Sequence, residues 1–294
     1  MIETKNIMKS YGKTNVLSHI NLTIHDGEVY GLIGKNGAGK TTLLNILAGI
    51  VPCTSGSYVI KPESLSQNSY RIGYLPDVPQ FYDFMTGREY LQYLKEGANS
   101  QTSFEEYIDS IDLDISQKIK KMSRGNRQKL GIVAALVNDP QLLMLDEPMS
   151  ALDPLGREYV MNLILRIKKE RQVTILFSTH ILDDVPKICD RIGILHNQTI
   201  MKEIDFHNFQ TSSNYMNIRF FSCEKLEEDI LKGYLTVPFN IEGTTLKVCF
   251  NDDYDVVRQV FRALSKMPLK VESVSLNSNE KLEFEQAVHE VLSL

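Results

Sequence analysis

Three observations in the sequence predict an α/β fold built on a parallel sheet, followed by a small α+β domain. First, short continuous apolar runs recur: Glu28-Val29-Tyr30-Gly31-Leu32-Ile33, Leu142-Leu143-Met144-Leu145, Val173-Thr174-Ile175-Leu176-Phe177 and Ile192-Gly193-Ile194-Leu195. Strands that are apolar at successive positions are buried on both faces, the situation of parallel strands covered by helices. Second, the first run leads into Gly34-Lys35-Asn36-Gly37-Ala38-Gly39-Lys40-Thr41-Thr42, after which Leu43, Leu44 and Leu47 fall at helical spacing before Gly49 and Pro52. Third, a polar stretch from Asp205 to Asn214 precedes a region whose elements follow a different order.

The elements follow in order. Residues 1 to 33 read as strands and turns: Asn15 to Ile24 alternates in part, and His25-Asp26-Gly27 is a turn. Short strands are expected at 57–60 and 71–75. From Thr86 to Val137 the pattern is helical. Thr86 is the N-cap of a helix bearing Tyr90, Leu91 and Leu94, and Ser123 opens another with Leu130, Val133, Ala134 and Val137 on one face. Val160, Leu163, Ile164 and Ile167 form the stripe of a further helix. Beyond the polar stretch come a strand at 216–221, a helix at 225–231 and strands at 234–238 and 245–250. A helix with Val256, Val257, Val260, Phe261 and Leu264 follows, then a strand at 269–275 and a helix at 280–292. That order, β-α-β-β-α-β plus a final helix, is ferredoxin-like. The predicted organisation is a domain at 1–204 with a helical subdomain at about 81–137, a linker at 205–214 and an accessory domain at 215–294.

Bulk properties narrow the function. The chain has 294 residues, 43% of them apolar, enough for about two domains with substantial cores. A net charge of −5 gives no electrostatic footprint for nucleic acid. Cys53, Cys189, Cys223 and Cys249 are far apart and form neither a zinc pattern nor a disulfide framework, which fits a reducing compartment. The N-terminus lacks a signal peptide's apolar core, and no apolar run approaches the about 20 residues of a membrane span. The chain is therefore expected to be soluble, with any membrane part provided by another chain.

The chemistry sits in two motifs. Gly34 to Thr41 fits G-x-x-x-x-G-K-[ST], the phosphate-binding P-loop. Glycines let the backbone turn so that its N–H groups converge on an anion at a helix N-terminus. Lys40 would reach the β- and γ-phosphates, and Thr41 would place its hydroxyl on Mg²⁺. The second motif is the strand-end pair Asp146-Glu147. An Asp there holds the Mg²⁺ shell in P-loop ATPases, and a neighbouring acid can act as general base towards water. Adjacent strand residues point opposite ways, so distinct roles require the chain to turn here, and Pro148 marks the turn.

Three further segments accompany them: Ser123-Arg124-Gly125-Asn126-Arg127-Gln128, Ser150-Ala151-Leu152-Asp153 and Phe177-Ser178-Thr179-His180. With these, residues 1 to about 204 resemble the ATP-binding subunits of ABC transporters, and the motifs occur in that family's order. The resemblance implies a P-loop NTPase fold of the ABC ATPase type. It also implies roles. Tyr11 stacks on adenine, and Gly34, Lys35, Asn36, Gly37, Ala38, Gly39, Lys40, Thr41 and Thr42 cradle the phosphates of ATP. Thr41, Asp146 and Asp77 serve Mg²⁺, Glu147 is the catalytic base, and His180 contacts the γ-phosphate. Ser123, Gly125 and Asn126 meet ATP held by the opposite subunit, and Asp153 communicates across the dimer. Two departures from the family pattern stand out. The usual Leu-Ser-Gly-Gly-Gln is Met122-Ser123-Arg124-Gly125-Asn126 here, which keeps the Ser and the second Gly and adds a charge. The usual Gln after the strand Arg71 to Pro76 is replaced by Asp77, with Gln80 three residues on as the alternative.

The segments Gly73 to Asp77 and Phe81 to Leu91 look like bacterial exporters of the bacitracin, lantibiotic and multidrug kind, whose membrane subunits are separate chains. The expectation is thus an ATP-hydrolysing subunit of an ABC exporter, acting as a dimer, most simply a homodimer. It would lie in the cytoplasm against the inner face of the membrane through its permease, with residues 77 to 90 lining the docking groove. The rival readings are a soluble ABC ATPase with a non-transport role and a regulatory member with weak turnover. DNA-repair members carry coiled coils or zinc cysteines, and ribosomal ones two ATPase units, none of which is seen in this sequence. Intact Lys40, Asp146, Glu147 and His180 argue against the regulatory reading. The membrane subunit, not this chain, meets the transported substrate.

Overall fold

A computed structural model of the chain describes residues 1–60, 71–206, 215–221, 231–233, 235, 237–249, 254–267, 270–277 and 288–291. By its internal contacts the chain divides into one compact unit of Met1–Asp205 with Val288–Leu294 and another of Phe206–Ala287.

The first unit opens with antiparallel strands β1 (Ile2–Tyr11) and β2 (Thr14–Ile24), which with β4 (Ser55–Ile60) form a sheet of order β2-β1-β4. The parallel sheet contains β3 (Val29–Ile33), β5 (Ile72–Leu75), β6 (Leu142–Leu145), β7 (Thr174–Thr179) and β8 (Arg191–His196), with β9 (Thr199–Asp205) on its edge, in the order β5-β6-β7-β3-β8-β9. Every residue of β3, β6 and β7 is buried, as continuous apolar runs require. β9 runs antiparallel to β8 and lies outside the sequence expectation. Its hairpin turns on Asn197 and Gln198, with φ of 45° and 71°. Such two-residue turns usually announce themselves with glycine, and here they do not.

Helix α1 (Lys40–Leu47) lies between the two sheets. Its Leu43, Leu44, Ile46 and Leu47 share one core with Ile2, Ile20 and Ile24 from one sheet and Leu142, Met144 and Leu176 from the other. The helical region is less continuous than its sequence pattern. It consists of α2 (Gly87–Gly97), α3 (Glu105–Ser110), a 3₁₀ turn at Ile119–Lys121 and α4 (Arg124–Leu136). Left-handed Asn99 and Asp112 follow the first two helices. Thr86 and Glu89 form a reciprocal capping box at the start of α2. Gly73 on β5 has no room for a Cβ against the Ala135 carbonyl, so α4 packs directly on the sheet. Helices α5 (Pro154–Arg171) and α6 (Val185–Ile188) complete the α/β alternation. Val160, Leu163, Ile164 and Ile167 of α5 are all buried.

The second unit holds β10 (Tyr215–Phe220), β11 (Phe239–Glu242), β12 (Thr245–Cys249), helix α7 (Tyr254–Leu264) and β13 (Val271–Asn277). Its sheet is antiparallel in the order β11-β12-β10-β13. Strand β11 begins at Phe239, not at residue 234: Leu235 is buried in the core, and the ladder starts after Pro238, which has no N–H to give. On α7 the buried stripe is Val256, Val260, Ala263 and Leu264, whereas Phe261, one residue off that stripe, is 47% exposed. Of the predicted linker at 205–214, Asp205 ends β9; residues 207–214, the helix at 225–230 and most of the final helix lie outside the described residues. Residues 288–291 are helical, with Val288 and Val291 buried. This segment falls with the first unit, where Glu290 pairs with Lys202 of β9 at 3.6 Å.

Candidate nucleotide site

The site starts where β3 ends. Gly37 (φ 82°) and Gly39 (φ 111°) hold conformations that side chains strain to adopt, and Gly39 is the N-cap of α1. A Cβ on Gly34 would lie 2.6 Å from the Leu195 carbonyl. The loop is therefore pressed against β8, and the first N–H groups of α1 face outward without intrahelical partners. Lys40, only 6% exposed, folds back so that Nζ donates to the Gly34 carbonyl at 2.7 Å.

The second wall comes from the ends of β6 and β7. Asp146 N–H donates to the Leu75 carbonyl at 2.8 Å, continuing the ladder for one residue. Glu147 then turns into the left-handed region (φ 49°), so the two adjacent carboxylates diverge. Ser178 organises the turn: its hydroxyl donates to Asp146 Oδ1 at 2.6 Å and accepts from Glu147 N–H at 2.9 Å. Each Glu147 oxygen meets a nitrogen. Oε1 is 3.2 Å from Lys40 Nζ, and Oε2 is 2.8 Å from His180 Nδ1.

Lys40, Glu147 and His180 line an open cavity of about 510 Å³ with Asn36, Thr41, Thr42, Asp77, Arg124 and Ser150. Asp77 belongs to this wall, whereas the Gln80 amide reaches its neighbour's carbonyl, that of Val78, at 3.5 Å. Burial and then the Asp146 and Asp77 carboxylates push the Tyr74 hydroxyl up to about 12. The same hydroxyl donates to Asn45 Oδ1 at 2.8 Å. Asp146 Oδ2 is buried with no hydrogen-bond partner among the described residues. Asp146 and Asp77 both act on the Tyr74 hydroxyl, and Asp77 shares the cavity with Thr41; oxygen donors of this kind suit a hard cation such as Mg²⁺. Among the described residues no cluster of three His, Cys, Asp or Glu could hold a metal alone. A cation here would take its remaining oxygens from phosphate and water.

Other predicted site residues lie off this cavity. Tyr11 ends β1 half-exposed, with Lys9 Nζ 4.8 Å from its ring centroid. Ser123 caps α4, accepting from Asn126 N–H at 3.1 Å, and Asp153 caps α5, accepting from Gly156 N–H at 2.7 Å. The two caps adjoin: a Cβ on Gly125 would lie 3.1 Å from the Ala151 carbonyl.

Residues 17–150 match the family described as ABC transporter. Over 218 residues, 71% of each chain, the sequence is 36% identical to the bacitracin transport ATP-binding protein BcrA of Bacillus licheniformis. The chain belongs to the ABC transporter ATP-binding family.

This ABC ATPase is also 30% identical over 292 residues to the BcrA of Enterococcus faecalis, covering 96% of this chain and 94% of that one. It is 34% identical over 221 residues to the lantibiotic transport ATP-binding protein SrtF of Streptococcus pyogenes, covering 74% and 96%. Among solved structures, a dimeric ATP-binding cassette in a post-hydrolysis state with ADP and Pi superposes with a TM-score of 0.61 at 25% identity, over 70% of this chain and 99% of that chain. The ABC ATPase is thus the ATP-binding, ATP-hydrolysing subunit of a transporter. Among its described residues no helix is long and apolar enough to cross a membrane. Among the polar cavity residues, Arg124 and Ser150 escaped sequence assignment to this chain's own nucleotide cavity. Their motifs were visible, but which cavity they face is a tertiary fact. Ser178 escaped it too, although the strand-end Phe177-Ser178-Thr179-His180 run contains it.

Proposed function

We propose that this ABC ATPase powers an exporter of the bacitracin and lantibiotic kind, working as a homodimer beneath separate membrane subunits. The observation that carries the reading is the convergence of Lys40, Glu147 and His180 on one cavity, in a chain whose relatives transport bacitracin and lantibiotics. In this reading Tyr11 stacks on the adenine. The N–H groups of the P-loop, together with Lys40, bind the phosphates. Thr41, Asp146 and Asp77 hold Mg²⁺, which neutralises charge on the phosphates when bound. Glu147 takes the proton of the attacking water, and His180 keeps the Glu147 carboxylate oriented while facing the γ-phosphate. Ser123, Gly125 and Asn126 of one copy complete the site of the other, with Asp153 at the seam.

Exposed Val78, Tyr82, Phe84 and Tyr93 support docking of the permease at the edge of the helical region. Phe81 meets Tyr90 edge to face in the same region, with ring centroids 5.2 Å apart. The position of the protein would then be the inner face of the membrane. The ferredoxin-like unit beyond the linker would serve dimer stability or regulation. The test is to purify the chain with the membrane protein that accompanies it and measure Mg²⁺-dependent ATP turnover with and without bacitracin-like peptides. Turnover that responds to such peptides is expected. A folded protein with turnover but no membrane partner would refute the transport reading.

A further inference from the structure

Where the family's usual signature has glycine, this chain has Arg124, and this residue lines the nucleotide cavity of its own subunit. The placement follows from α4. Arg124 and Gln128 stand four residues apart and so share one helix face. Gln128 is buried, and its amide donates to the Glu147 carbonyl at 3.3 Å, which aims that face at the catalytic wall. Arg127 points elsewhere and pairs with Asp83 at 2.9 Å. Arg124 itself has no hydrogen-bond or ion-pair partner among the described residues. In the lining of the same cavity, the Ser150 hydroxyl is buried and likewise has no partner among the described residues. An unpaired guanidinium and an unsatisfied buried hydroxyl in one cavity with a P-loop are donors that suit a polyphosphate oxygen.

We propose that Arg124 is a second cationic ligand, after Lys40, for the terminal phosphate of the nucleotide bound in the same chain, so that it sets preference for triphosphate over diphosphate. The inference rests on the nucleotide-site reading above. It differs from the partner-facing role of Ser123 and Gly125, because it needs no second copy. Arg124 lines one cavity with Asp77, Glu147 and His180, the residues that the nucleotide-site reading sets at the terminal phosphate, so in that reading ATP gains more from it than ADP does.

The test measures ATP and ADP affinity by calorimetry in EDTA, at protein concentrations where sedimentation shows monomer alone. Arg124→Ala should weaken ATP about tenfold, the size of one charge-assisted hydrogen bond, and leave ADP within about twofold. Arg124→Lys should recover most of the ATP affinity. Because Arg124 is exposed and unpaired, both variants should melt as the parent does. Unchanged ATP affinity in monomeric Arg124→Ala would overturn the proposal, as would a defect that emerges only in dimeric protein. Equal losses for ATP and ADP would also overturn it. Lys40→Ala is the control: if it too binds ATP normally, the nucleotide-site reading fails, not the assignment of Arg124.

Discussion

Lys40 Nζ lies 3.2 Å from Glu147 Oε1, with both side chains no more than a tenth exposed, so one ion pair joins the P-loop to the end of β6. The other Glu147 oxygen is held by His180, and the carboxylate is fixed at both ends.

Glu147→Gln keeps the shape of this bridge but removes its charge and its capacity to take a proton. Nucleotide binding should persist while multiple-turnover hydrolysis falls at least about a hundredfold. Phosphate release in a coupled assay checks this. Turnover near the parental rate would remove Glu147 as the base.

Ser178→Ala takes away a hydroxyl that serves Asp146 and Glu147 N–H together. Two buried polar groups then lose their partner, so the variant should be less stable by about 1–3 kcal/mol. Urea denaturation followed by circular dichroism measures it. A midpoint unchanged from the parent would mean that the turn after β6 holds without Ser178.

Asp77→Ala should raise the Mg²⁺ concentration needed for half-maximal ATPase activity, and Gln80→Ala should leave it nearly unchanged. Asp77 lines the cavity and Gln80 does not. A larger shift for Gln80→Ala would transfer the metal-facing role to that residue.

The Tyr74 hydroxyl carries a pH prediction. Its folded value is raised, from 10 to about 12, by burial first and the nearby Asp146 and Asp77 carboxylates second. A group raised on folding contributes stability that is present below its unfolded value and lost as pH climbs towards the folded one. Between about pH 10 and 12 the parent should therefore lose stability more steeply than Tyr74→Phe. Parallel stability curves for the two proteins over that window would contradict the assignment.

Much of this architecture is legible in the sequence, because β3, β6 and β7 are buried along their whole length and their apolar runs say so. The P-loop is legible for a related reason: Gly37 and Gly39 occupy backbone conformations that other residues resist. What the sequence conceals is set by tertiary placement. Strand β9 is hidden because its hairpin bends at Asn197 and Gln198 without a glycine. Phe261 looks like a core residue until the stripe through Val256, Val260 and Ala263 turns it outward. The side of the molecule that Arg124 serves depends on Gln128 meeting Glu147, a contact between segments 19 residues apart that no local pattern encodes.

The segment from Val288 falls with the first unit, and Glu290 clasps Lys202 on the strand that leads out at Asp205. The small unit is thereby an insertion, not an appendage: the chain departs from and re-enters the same body. Cutting the chain back to the first exit would strip away a piece of the larger body as well as the smaller one.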